Sequence, residues 1–313
     1  MKTRIGLVGS GYMATEYLKA SRAVSSLEFV AIHSRNMETA ARLASEFGVS
    51  IIANSVEDFA DQQLDFVIIC VPELATFEII ATFSKLKVPL LVEKPVGITL
   101  REALSIEANS KADSIPLFVA LNRRFYGSTR HVLNELAQTS GKRFVQVNDQ
   151  ENTIAAIAAG QPRQVVENWM FANSIHIIDY ISVVCRGEPT LLRKNTTYMS
   201  KNAYIVHAEV TFSSGDVAIY TCFWNIPGGW NVSVSTENRT WQLSPLESAR
   251  ARSLGDRQYT DFEADELDNR FKPGLVRILM DLDNYCNGRD HSLISISEAN
   301  KSMMLIDMIY AND

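Results

Sequence analysis

Long apolar runs, paired cysteines and an excess of basic charge are all missing from this chain of 313 residues, and each absence closes off a class of function. Nowhere do eighteen uncharged apolar residues run together, so no membrane span is expected. The four cysteines, Cys70, Cys185, Cys222 and Cys286, are far apart and form no CxxC pair. That usage fits a reducing cytosol, and no metal site is suggested by spacing. The net charge of -6, with a pI near 5.5, disfavours nucleic acid as a partner, because phosphate binding needs basic surface. The opening Met1-Lys2-Thr3-Arg4 and Ile5-Gly6-Leu7-Val8 imitate a signal peptide, but the apolar stretch is too short and breaks at once into a glycine turn. These features predict a soluble cytoplasmic protein, long enough for two domains.

What is present begins with alternation. Apolar runs at 5–8, 29–32, 51–53, 66–71, 90–92 and 117–121 read as strands, separated by helical segments at 13–21, 37–47, 74–86 and 100–112. The runs are continuously apolar, as in strands covered on both faces by helices. Asn36 is placed to cap the second helix and Gly48 to end it, while Thr99 and Glu102 form a capping box for the fourth. Six strands with crossover helices predict a doubly wound parallel sheet over residues 1–121.

Residues 122–313 have a different texture. A helix at 128–138 leads to a strand at 144–149, a polar irregular stretch containing Gly160 and Pro162, and a helix at 175–184. Strand-like runs at 191–198, 204–212, 217–224, 230–235 and 240–243 then follow without intervening helices, which predicts an α+β domain with an antiparallel sheet. The acidic stretch 261–268 reads as a solvated loop, and helices near 275–284 and 298–310 close the chain.

The chemistry is concentrated at two turns. Gly9-Ser10-Gly11-Tyr12-Met13-Ala14 follows the first strand and opens a helix. In such a G-x-G-x-x-A turn the first glycine permits the bend, the second lets backbone approach a pyrophosphate, and the small third residue lets helix and strand pack closely. The helix N-terminus then offers free N–H groups to the phosphates. The second strand ends Ala31-Ile32-His33-Ser34-Arg35 with no acid nearby. A carboxylate there would accept from a ribose 2′-hydroxyl; Ser34 and Arg35 instead suit a 2′-phosphate, which favours NADP, with NAD as the alternative. The second turn, Glu93-Lys94-Pro95, follows the fifth strand and brings an ammonium to the ligand edge of the sheet. Glu93 reads as orienting that loop.

The chain resembles the glucose–fructose oxidoreductase, inositol dehydrogenase and rhizopine-catabolism (Gfo/Idh/MocA) family. The resemblance rests on the glycine turn, on Cys70-Val71-Pro72, on Glu93-Lys94-Pro95-Val96-Gly97 and on Asn122-Arg123-Arg124-Phe125. It continues with His176-Ile177-Ile178-Asp179 and the closing helix. It implies a Rossmann domain followed by a domain with an open, mostly antiparallel sheet, an active site between them, and a homodimer or homotetramer associating through that sheet. It implies hydride transfer between nicotinamide and a sugar- or cyclitol-like alcohol or ketone. Gly9, Gly11, Tyr12, Met13, Ser34, Arg35, Val71, Pro72, Glu93 and Lys94 would hold the cofactor, with Lys94 and His176 catalytic. Asn122, Arg123, Trp169, Asn173 and Asp179 are candidates for substrate contact.

The family usually carries an aspartate four residues before the histidine, where this chain has Ala172. Asn173 shares a helical face with His176 but cannot exchange a proton, so acid–base work would fall on His176 and Lys94. The missing acid supports another reading, a non-catalytic NADP-binding sensor; the resemblance adds a third, a glycoside hydrolase that oxidises and re-reduces its sugar transiently, as some relatives do.

Overall fold

A computed structural model describes residues 2–311 and divides into two compact units. The first comprises the residues through Phe125 together with Asn269–Asn300; the second comprises Tyr126–Asp268 and the segment from Lys301.

In the first unit, strands β1 (Thr3–Val8), β2 (Leu27–His33), β3 (Ile51–Ala53), β4 (Phe66–Ile69), β5 (Leu90–Glu93) and β6 (Leu117–Ala120) form one sheet in the order β3-β2-β1-β4-β5-β6. All neighbours are parallel. The strand order reverses direction between β1 and β4, so the loops after these strands flank a crevice at their carboxyl ends. The sheet is held by apolar side chains almost wholly removed from water, among them Ile5, Leu7, Ile32, Ile68 and Leu90, each worth about 1.5–3 kcal/mol of burial.

The caps follow the sequence. Asn36 accepts the Thr39 N–H at the start of helix Met37–Phe47, and Gly48 ends it in the left-handed region. Thr99 accepts the Glu102 N–H at the start of helix Leu100–Ala112. Where one helix was expected over 74–86, a 3₁₀ turn (Glu73–Ala75), a helix (Thr76–Phe83) and a second 3₁₀ turn (Ser84–Leu86) follow one another. A short helix, Val56–Ala60, opened by a Ser55–Asp58 capping box, was not expected at all.

Residues 122–125 and 269–300 join the first unit rather than the second, a different division from that expected at residue 121. The cause is local packing. Helix Leu275–Cys286 lies against helix Tyr12–Ser21 and against the 3₁₀ turn Asn122–Phe125. Thr3 Oγ1 donates to Asp283 at 2.6 Å, and the Val119 N–H donates to the Ile294 carbonyl at 2.8 Å.

The second unit is built on β7 (Phe144–Glu151), β8 (Pro189–Tyr198), β9 (Tyr204–Phe212), β10 (Val217–Trp224), β11 (Asn231–Ser235), β12 (Arg239–Leu243), β13 (Ala249–Ser253) and β14 (Thr260–Asp261). The order is β14-β13-β12-β11-β7-β10-β9-β8. β7 and β10 run parallel, and the other neighbours are antiparallel. One face of β7, Val145, Val147, Asp149 and Glu151, is buried, and helix Ile175–Val184 packs on that strand.

The acidic stretch is not a simple loop: it contributes β14 and starts helix Glu266–Arg270. Asp265 accepts the N–H groups of Leu267 and Asp268, and Asp268 accepts the Gly127 N–H at 2.6 Å. Its carboxylates are spent on helix ends, which satisfies backbone donors otherwise left open.

Candidate functional site

The glycine turn connects β1 to helix Tyr12–Ser21. Gly9 has φ +111, and a Cβ there would run into the Cys70 carbonyl oxygen at the end of β4. The chain can pass this close to β4 only without a side chain. A Cβ at Gly11 would meet nothing within 4 Å. Gly11 is the N-cap residue of its helix, no side chain caps that end, and no acid occupies the first turn. The helix therefore presents bare N–H groups and its positive dipole end beside open space, which fits a pyrophosphate. Tyr12 beside it is two-thirds exposed, and Met13 is half-buried.

At the end of β2, Ser34 Oγ lies 2.7 Å from Ser10 Oγ, which in turn contacts Thr39 Oγ1. Arg35 is exposed. This cluster of hydroxyls links the glycine turn to the β2 terminus.

Beyond β4, Val71 is half-buried and Pro72 is exposed before the Glu73–Ala75 turn. Beyond β5, Glu93 accepts from Tyr17 Oη at 3.1 Å. Burial raises the Glu93 carboxyl, and the Lys94 charge and the Tyr17 hydrogen bond only partly offset it. Lys94 is half-buried, and its peptide bond to Pro95 is cis. The following loop is anchored at Gly97, where a Cβ would come within 2.8 Å of Glu102 Cβ, and by the Ile98 N–H donating to Glu102 Oε2 at 2.9 Å. The first unit thus gathers Gly9, Gly11, Tyr12, Met13, Ser34, Arg35, Val71, Pro72, Glu93 and Lys94 into the turns following β1, β2, β4 and β5.

Two residues predicted for substrate contact also lie in this unit. Asn122 is buried and its amide donates to the Pro273 carbonyl at 3.2 Å, while Arg123 is half-buried in the same 3₁₀ turn. The Pro273 loop delivers a residue sequence reasoning missed: the Lys272 ammonium stands 5.2 Å from the centre of the Tyr12 ring, and its charge acts on Glu93. Nothing in the sequence around Lys272 points to the glycine turn, because the contact spans 260 positions and depends on how 269–300 folds back.

In the second unit, His176 lies in the first turn of helix Ile175–Val184, half-buried, with its ring 6.2 Å from that of Trp230. Ala172 is buried. Trp169 and Asn173 both turn to Glu151 at the end of β7: the indole N–H donates to Oε2 at 2.6 Å, and the Asn173 amide to Oε2 at 2.9 Å and Oε1 at 3.1 Å. Ser174 Oγ adds a bond to Oε1 at 3.1 Å. Asp179 is buried and accepts from Ser302 Oγ at 2.6 Å, fastening the closing helix. Glu151 is the second missed residue, and a signal existed. Val145, Val147, Asp149 and Glu151 alternate in step, so the parity that buries the valines also buries the two acids. Ending the strand at Asp149 hid it.

Residues 3–120 match the family model GFO_IDH_MocA, described as an oxidoreductase family with an NAD-binding Rossmann fold. Over these residues, which form the Rossmann-fold part of the chain, the protein is similar to the Gfo/Idh/MocA oxidoreductase family.

A 4-carboxy-2-hydroxymuconate-6-semialdehyde dehydrogenase of Sphingobium is 25% identical over 182 residues, 56% of this chain and 57% of the relative. An inositol 2-dehydrogenase of Rhizobium meliloti is 28% identical over 129 residues, 40% of this chain and 38% of the relative. The chain therefore matches less than two thirds of the length of either. A levoglucosan dehydrogenase solved in complex with NADH superimposes with a TM-score of 0.81 over 99% of this chain and 96% of that one. At 14% identity that likeness establishes the fold alone, and it extends to both units.

Among the described residues no helix is long and apolar enough to cross a membrane, and no group of three His, Cys, Asp or Glu side chains could hold a metal ion.

Proposed function

We propose that the chain is an NADP-dependent oxidoreductase that transfers a hydride between nicotinamide and a sugar- or cyclitol-like alcohol or ketone. The observation that carries the reading is the uncapped helix end at Gly11, open to a pyrophosphate, in a sheet whose β5 edge also presents Lys94. The bound cofactor supplies or accepts the hydride. Everything else is done by the chain: Lys94, as an ammonium, stabilises negative charge on the reacting oxygen, and His176 takes or returns the hydroxyl proton. With Ala172 in place of an acid, no carboxylate at that position shares the proton transfer. Glu93, half-buried and tied to Tyr17, steadies the loop that carries Lys94.

The preference for NADP rests on the β2 terminus. Ser34 and Thr39 offer hydroxyls and Arg35 a free-standing guanidinium where an NAD site places a carboxylate. Arg35→Ala should weaken NADPH binding about tenfold, roughly 1.4 kcal/mol, and leave NADH binding unchanged.

The test is turnover on a panel of sugars and cyclitols, followed at the reduced-nicotinamide absorbance. Lys94→Ala and His176→Ala should each lower kcat by on the order of 10²–10⁴. Full activity in both variants overturns the mechanism. NADP binding with no turnover on any polyol selects the sensor reading, which the absence of an acid at Ala172 favours. Glycoside cleavage with retained cofactor and no net redox change selects the hydrolase.

A further inference from the structure

Glu151 ends the central strand β7, 1% exposed, on the same face as Asp149. Its two carboxyl oxygens accept from three side chains that lie within six residues of one another: Trp169, Asn173 and Ser174. Two of these, the indole N–H and the amide NH₂, can only donate, so they need lone pairs on both oxygens, which a carboxyl keeps whether or not it carries a proton and a glutamine NH₂ does not. The segment that carries them is a widened π-type turn, Met170–Ser174, which leads directly into the helix of His176. Adjacent residues of a regular helix point about 100° apart, so Asn173 and Ser174 could not both reach one carboxyl in an ordinary turn. Wide turns of this kind are rare and occur frequently at functional sites.

We propose that Glu151 is the positioning residue for His176: it pins the turn two residues upstream and thereby sets where the imidazole stands. This inference rests on the reading of His176 as the proton-transfer group. Glu151 itself touches no reacting atom in this account. The buried groups around it are Asp149 on its own strand, Tyr220 and Cys222 on β10, and Tyr310 of the closing helix. Tyr220 Oη donates to Asp149 at 2.7 Å, and the two tyrosine hydroxyls lie 2.8 Å apart. Substituting Glu151 leaves that hydroxyl chain with its own acceptor.

The experiment is Glu151→Gln in the full chain. Glutamine keeps the shape but offers one acceptor oxygen and an NH₂ that faces donors. With a substrate in hand, kcat should fall on the order of 10²-fold, the cost of a misplaced catalytic group, while the KM for NADPH stays within about twofold. The ionisation limb of the pH–kcat profile should also move. Trp169→Phe, which removes the indole N–H to Glu151 together with part of the ring, should move that limb in the same direction with a smaller loss of kcat, and it serves if Glu151→Gln does not fold. Unchanged kcat and pH profile, or a loss that merely tracks the folded fraction, overturns the proposal.

If the wild-type chain turns over nothing, the enzymatic reading fails and the positioning role is still decided by NMR. The His176 imidazole resonance should shift in Glu151→Gln at fixed pH while those of His33, His131, His207 and His291 stay in place. A His176 resonance that also stays in place overturns it.

Discussion

A methyl group at Gly9 has nowhere to go, since the Cys70 carbonyl oxygen occupies its place and φ is +111, whereas at Gly11 it meets open space. The two glycines of one motif are thus under different constraints: the first is needed for the fold, and the second, in the proposed function, for ligand access. Gly9→Ala should destabilise the protein by about 2 kcal/mol or more, through both strain and the clash. Gly11→Ala should melt like the parent, because the helix end tolerates a methyl, yet bind NADPH at least tenfold more weakly, about 1.4 kcal/mol. Thermal melts and cofactor titrations of the two variants separate the roles, and a Gly11→Ala protein that binds NADPH normally would remove the pyrophosphate from this turn.

Two carboxylate sites give the second unit opposite responses to pH. In the turn before β10, Asp216 accepts the backbone N–H groups of Arg143 and Arg186 and a bidentate guanidinium from Arg186. Burial works to raise this carboxyl, but the Arg186 and backbone donors outweigh it and hold it well below the usual carboxylate range. Its contribution is present above about pH 3.9 and is lost as the pH falls through the folded-state value. Asp216→Asn should therefore be less stable at neutral pH, with the gap closing in acid.

The Asp149–Glu151 pair is the reverse case. Burial pushes both carboxyls up, and at Glu151 the charge of Asp149 adds to it, raising that carboxyl to about 8. The folded state then holds a proton that the unfolded chain releases near pH 4.3, so stability should decline as pH rises from there toward 8. Denaturant melts across that window should flatten in Glu151→Gln. A slope identical to that of the parent would mean the pair is ionised in the fold.

The contrast shows where sequence reading succeeds. Continuous apolar runs, Asn36, Gly48 and the Thr99 cap mark the first unit's strands and caps because their causes are local, although Glu102 accepts from Ile98 and so leaves the expected Thr99–Glu102 box half made. Strands β9 and β10 are equally legible from their alternation. β13 and β14 escaped, since Ala249-Arg250-Ala251-Arg252-Ser253 carries too little apolar character to read as a strand and is held by pairing with β12. The candidate site divides the same way. The glycine turn and the Lys94 turn follow their own strands, while nothing in the sequence around Trp169 and Asn173 points to Glu151, which the fold sets beside them.

The two units supply different parts of the proposed chemistry. The first carries the cofactor turns, Lys94 and Lys272; the second carries His176 and the carboxylate that steadies its turn. A structure of the protein with NADP and a polyol found in the turnover panel tests whether these parts serve one reaction. The account predicts Lys94 Nζ and a ring nitrogen of His176 both within hydrogen-bond reach, about 3 Å, of the reacting oxygen, with the nicotinamide C4 facing its carbon. A complex in which either side chain is turned away from that oxygen, or in which the dinucleotide lies elsewhere than the Gly11 helix end, contradicts it.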